Sequence, residues 1–174
     1  GGFTYGTNTC EMAGAYATLA NDGIYRNRTC LTSIIDKNND ELYVKEREQK
    51  VYSKESAQEI TDILEGVITK GTAHSMGWDS NNITAAGKTG TTNDNKDGWF
   101  CGYTPYYTIC VWIGYDTPKT LNSLQGASYP ASVWKKAMLS LTEDKPSIQF
   151  QKQNQETTTA NSLIDRDPDE ELSQ

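Results

Sequence analysis

Apolar residues recur along this chain at two spacings. In residues 11–21 (EMAGAYATLAN), Met12, Ala15, Tyr16 and Leu19 fall at i, i+3, i+4 and i+7, which predicts a helix with one apolar face. Thr9 is placed to cap it, and Gly23 lies just past its end. Residues 53–69 repeat the spacing more strongly: Ile60, Ile63, Leu64, Val67 and Ile68 predict a buried stripe. Ser53 and Ser56 are candidate N-caps, Ser56 with Glu59 has capping-box spacing, and Gly71 ends the run. Residues 131–141, introduced by Pro130, place Val133, Trp134, Ala137, Met138 and Leu141 on one face of a third helix.

Between the helices the pattern shortens to that of strands. Residues 30–36 and 41–45 are β-rich runs around Lys37-Asn38-Asn39-Asp40, a hairpin signal. Residues 83–92 (ITAAGKTGTT) have short strand character. Residues 99–103 and 107–115 are aromatic and β-branched and are separated by Thr104-Pro105-Tyr106, a second hairpin signal. If that hairpin turns on Pro105 and Tyr106, Cys101 and Cys110 become direct cross-strand partners. The order helix, hairpin, helix, three strands, helix predicts an α+β fold, with helices packed on an antiparallel sheet.

Composition changes the picture at the C-terminal end. After Leu141 the chain is rich in Gln, Thr, Asp and Glu with Phe150 its only aromatic, so a foldable unit over residues 1–141 and a disordered polar tail over 142–174 are expected. The net charge of −7 and the lack of a basic stripe argue against nucleic-acid binding. No apolar run approaches the roughly 18 residues of a membrane span. The opening Gly-Gly-Phe-Thr reads as mid-domain sequence, so a piece of a longer protein is expected. Four cysteines without CxxC spacing and a single histidine, His74, make a zinc site a poor reading; no metal or cofactor is implied.

Lys88-Thr89-Gly90-Thr91-Thr92 carries the candidate chemistry. A lysine at the inner edge of a sheet supplies a fixed positive charge beside a cleft. Thr89 and Thr91, two apart on a strand, send their hydroxyls to one face. Two hydroxyls and an ammonium converging there suit a carboxylate. Gly90 leaves room for an extended ligand to lie along the backbone. Taken alone, the tripeptide reads more readily as a solvated lysine in an ordinary strand.

Its surroundings favour the functional reading. AGKTGTTNDNKDGWFCGYTPYYTICVWIGYD (residues 86–116) resembles the Lys-Thr-Gly box and following strands of class A penicillin-binding proteins. TYGTNTCEMAGAYATLANDGIYRNRTCLTSI and YSKESAQEITDILEGVITKGTA resemble the segments leading into that box, and YPASVWKKAM is similar to the helix after the last strand. The resemblance covers residues 1–141 and implies the C-terminal part of a serine D,D-transpeptidase domain, a partial β-lactamase/transpeptidase-like fold. It implies Lys88 and Thr91 as catalytic residues, the Thr91 N–H as an oxyanion donor, and Thr89, Gly90 and Thr91 as substrate-binding residues. It also implies peptidoglycan stem peptides and β-lactams as ligands. The parent protein would be membrane-anchored, with this domain on the extracellular face of the bacterial cytoplasmic membrane.

The family's Ser-x-x-Lys and Ser-Asx-Asn boxes precede Lys-Thr-Gly. Here Ser132-Val133-Trp134-Lys135 fits the first only downstream, and Ser80-Asn81-Asn82 fits the second only six residues ahead of Lys88. The expectation is a transpeptidase piece without its nucleophile, inactive alone. The alternative is a non-catalytic module that binds peptidoglycan or a partner. A P-loop reading of Gly87-Lys88-Thr89 fails because position 82 is Asn and no helix pattern follows.

Overall fold

The structure, a computed structural model, describes residues 6–31, 33–42 and 48–152. Three helices, α1 (Thr9–Ala20), α2 (Lys54–Thr69) and α3 (Tyr129–Thr142), pack around an antiparallel sheet of β3 (Ala86–Thr91), β4 (Asp97–Tyr103) and β5 (Thr108–Gly114) in that spatial order. A second, two-stranded sheet pairs β1 (Ile24–Arg26) with β2 (Glu48–Lys50). This is the expected α+β arrangement. β1 and β2 were not expected, because Glu48-Gln49-Lys50 is polar and exposed and carries no apolar alternation.

Local chemistry sets the helix starts. Asn8 rather than Thr9 caps α1, its side chain accepting from the Glu11 N–H at 2.9 Å. Ser53 caps α2 by accepting from the Ser56 N–H at 3.1 Å. Pro130 sits in the first turn of α3, where a missing N–H costs nothing. The hairpin expected around 37–40 is reduced to a turn with a single bridge, Ile35 to Glu41, its loop held by the Asp36 carboxylate on the N–H groups of Asn38 and Asp40. Part of its second run lies outside the described residues.

The buried stripes are rotated from those the spacing predicts. α2 buries Ala57, Thr61, Leu64 and Ile68, whereas Ile60 and Ile63 are 41% and 65% exposed. Thr61 can go inside because its hydroxyl bonds the Ala57 carbonyl and the Tyr103 hydroxyl, both at 2.8 Å. α1 likewise buries Gly14 and Thr18 and leaves Ala15 exposed. α3 buries Pro130, Ala131, Trp134, Met138 and Thr142, with Val133 and Leu141 exposed.

Alternation along the strands separates two faces. Phe100 belongs to the face covered by α3, where it meets Trp134 edge-on at 5.2 Å in a core with Ile68, Ala73, Ala131 and Met138. The Trp134 indole N–H donates to the Gly102 carbonyl. Tyr103 belongs to the opposite face, with Leu64 and Ala86, and Tyr16 and Leu19 of α1 packed against it.

The chain beyond Leu141 does not begin as an unpacked tail. Ile148 bridges Ile83 in parallel, the Phe150 N–H donates to Thr84 Oγ1 at 2.8 Å, and the Phe150 ring packs edge-on to Tyr103. Two apolar residues, Ile148 and Phe150, suffice to dock this strap, so the expected boundary at 141 falls short. Residues 153–174 lie outside the described residues.

Candidate functional site

Among the described residues the motif strand β3 lies at the edge of its sheet, paired with β4 alone. The Thr92 N–H donates to the Asp97 carbonyl at 3.0 Å, which makes Thr92 and Asp97 a hydrogen-bonded pair. Counting back by twos, Gly90, Lys88 and Ala86 turn their backbone groups toward β4. Gly87, Thr89 and Thr91 therefore present theirs to the free edge. The Thr91 N–H and the Thr89 C=O are thus ladder groups open to an incoming extended peptide.

The side chains leave this strand in two directions. Lys88 shares a face with Cys101, its partner on β4, while Thr89 and Thr91 share the other with Phe100 and Gly98. The two hydroxyls do lie on one face, as their spacing requires, and the ammonium starts from the opposite one. It reaches the edge by bending over the strand: Lys88 Nζ donates to the Thr89 carbonyl at 2.9 Å. The cation, the Thr89 carbonyl and the Thr91 N–H are thereby gathered along one exposed edge.

Each threonine hydroxyl is held from outside the strand. Thr89 Oγ1 lies 2.8 Å from Thr72 Oγ1, in the turn after α2. Thr91 Oγ1 accepts from the Gly126 N–H at 3.0 Å, so its own hydrogen remains available to an acceptor. Gly126 belongs to the loop between β5 and α3. A Cβ there would fall 2.5 Å from the Gly90 carbonyl oxygen and 2.8 Å from its nitrogen. The loop therefore rides directly on the motif's backbone, an approach only glycine allows.

Asp97 closes the end of the strand pair. Its carboxylate accepts from Thr92 Oγ1 at 3.0 Å and from the Trp112 indole N–H at 2.9 Å. It thereby fixes Trp112, beside Trp99, in the floor of a groove. That groove, about 790 Å³, runs between the start of α1 (Asn8, Met12, Tyr16) and the sheet (Lys88–Thr92, Trp99, Cys101, Trp112).

The two look-alike boxes are occupied elsewhere. Ser132 is exposed on α3, and Lys135 donates to the Met76 and Gly77 carbonyls at 2.9 and 2.8 Å, capping a short turn. Ser80-Asn81-Asn82 is a turn between Trp78 and Ile83. Thr72 and Gly126 escaped the sequence reading, since a lone threonine after a helix and a glycine in a polar loop carry no periodic signal.

The family model described as the penicillin binding protein transpeptidase domain matches residues 2–139. Penicillin-binding protein 1A of Clostridium acetobutylicum is 37% identical over 134 residues, covering 76% of this chain and 16% of that protein. Penicillin-binding protein 4 of Bacillus subtilis is 35% identical over 136 residues, 78% of this chain and 22% of that protein. This chain therefore spans only a fraction of the curated relatives it matches. The solved structure of the PonA1 protein from Mycobacterium tuberculosis in complex with penicillin V superposes with a TM-score of 0.70 at 28% identity, over 84% of this chain and 41% of that one. With a family model spanning most of its length and relatives of this closeness, the chain belongs to the penicillin-binding protein transpeptidase family.

Proposed function

We propose that this chain supplies the Lys-Thr-Gly wall of a serine D,D-transpeptidase cleft in peptidoglycan cross-linking, and that the nucleophilic serine belongs to polypeptide outside these residues. The observation that carries the reading is the free edge of β3, where the Lys88 ammonium, the Thr91 N–H and the Thr89 carbonyl lie together beside the groove. Among these residues no Ser-x-x-Lys precedes Lys88.

In this reading an extended stem peptide or a β-lactam lies along the edge. The Thr91 N–H donates to the developing oxyanion once the serine has attacked. The Thr91 and Thr89 hydroxyls donate to the substrate carboxylate, Thr89 Oγ1 being held by Thr72 Oγ1. Lys88 places its charge beside both, stabilising the carboxylate and taking part in proton transfer at the serine. Thr72 and Gly126 position the two hydroxyls and do not touch the reacting atoms. Transfer of the acyl group to the amine of a second stem completes the cross-link. Among the described residues no helix is long and apolar enough to cross a membrane. In this reading the parent protein is membrane-anchored and holds the domain on the outer face of the cytoplasmic membrane.

The test is acylation by a labelled penicillin, read by intact mass. The chain alone is expected to form no adduct. Joined to a family segment carrying the Ser-x-x-Lys box, it is expected to acylate on that serine, and Lys88→Ala in the joined protein should slow acylation by at least roughly 100-fold. An adduct on the chain alone, as at Ser132, would overturn the assignment of the nucleophile. A folded joined protein that never acylates would instead favour a non-catalytic binding module.

A further inference from the structure

We propose that Cys101 and Cys110 form a reversible disulfide, an oxidative modification site on the sheet face that carries Lys88. The geometry comes from the hairpin. Cys101 and Cys110 are direct cross-strand partners, and Cys101 is in turn the partner of Lys88, so the three side chains form one row across β3, β4 and β5. The Thr104 N–H donates to the Tyr107 carbonyl at 2.9 Å, which makes that pair hydrogen-bonded. Stepping back by single residues, Cys101 and Cys110 fall at a non-hydrogen-bonded pair. The Cα atoms of such a pair lie about 4.5 Å apart with their side chains close, within the roughly 4.4–6.8 Å that a disulfide spans.

The two thiols are free and differ in access. Cys101 is buried in the floor of the groove, while Cys110 is half-buried. The Cys110 thiol is pushed well above its ordinary pKa, first by a hydrogen bond with the Cys101 side chain and then by burial. At neutral pH Cys110 therefore rests as a protonated thiol that resists alkylation, and its oxidation is slow until that proton is lost.

The oxidant required is a low-molecular-weight disulfide. The Cys110 thiolate attacks one of its sulfurs, releasing one small thiol and leaving Cys110 in a mixed disulfide. The Cys101 thiolate then attacks the Cys110 sulfur, the protein S–S bond forms and the second small thiol leaves. The two cysteines lose two electrons and two protons, and the small disulfide is reduced to two thiols.

Cys10 and Cys30 are exposed and would confuse the readout, so the test uses the full chain carrying Cys10→Ser and Cys30→Ser. It is incubated with oxidised glutathione under mildly alkaline conditions in which circular dichroism shows the fold intact. The expected result is a mass loss of two hydrogens, reversed by reductant, with peptide mapping linking Cys101 to Cys110. Adding Cys101→Ser should convert that loss into a trapped glutathione adduct on Cys110. An unchanged mass would overturn the proposal. So would a stable mixed disulfide on Cys110 while Cys101 is present.

Discussion

The two faces of the β3–β4–β5 sheet are built from the same strands and serve different ends. Toward α3, Phe100 from β4 inserts among Trp134 and Met138, each with no exposed surface. Toward α1, the corresponding positions are Lys88, Trp99, Cys101 and Trp112, and a groove remains between sheet and helix. One face has spent its side chains on contact with a helix. The other keeps polar and aromatic groups half-accessible. A site needs both: the edge of β3 is a fixed template only because the far side of the sheet is immovably packed.

The comparison is broken most severely from the packed side. Trp134→Ala removes the ring that joins Phe100 and Trp78, together with the hydrogen bond to Gly102, and should cost about 3–5 kcal/mol, seen as a lower denaturation midpoint or outright loss of the fold. A smaller effect belongs to the groove side. Burial pushes the Tyr103 phenol from 10.0 up to about 12, with the Thr61 hydrogen bond pulling the other way. The unfolded chain ionises first, so stability is intact below pH 10 and falls between pH 10 and about 12, by up to about 2–3 kcal/mol. Denaturant midpoints across that range should show the fall, and Tyr103→Phe should reduce it. Gly126→Ala sharpens the contrast at the boundary between the faces. Its Cβ must displace the Gly90 backbone, costing about 1–3 kcal/mol in stability. In the joined protein it should also slow penicillin acylation more than it lowers the denaturation midpoint.

Much of this architecture was legible in the sequence, because strong periodicity and turn chemistry agree there. The run from Ser53 to Gly71 had both a cap and a stripe, and Pro105-Tyr106 fixed a hairpin register that places Cys101 opposite Cys110 as expected. The legibility ends where a polar residue takes an apolar position. Thr61 is buried because Tyr103 meets it from a strand 42 residues away, a partner no local window contains. Ile63 is exposed for the complementary reason: an apolar side chain does not by itself choose which flank of a helix meets the sheet. In the site, the motif's identity and strand character were readable, whereas its clamps were not. Thr72 and Gly126 act through single hydrogen bonds from separate loops, and neither leaves a repeat or a composition bias.

The strap after α3 bears on how the chain folds. Phe150 reaches back 66 residues to bond Thr84, and Ile148 exchanges backbone hydrogen bonds with Asn82 and Thr84, immediately ahead of the motif strand. Hairpin β4–β5 can close early from local contacts, but the approach to Lys88 is pinned only when the segment that follows α3 has arrived. Loop closure over that length carries its entropic cost before the contacts form. The Lys-Thr-Gly strand is thus locked in place only after this strap docks, so a nascent chain released short of Phe150 would hold its core hairpin while its Lys-Thr-Gly edge was still finding its register.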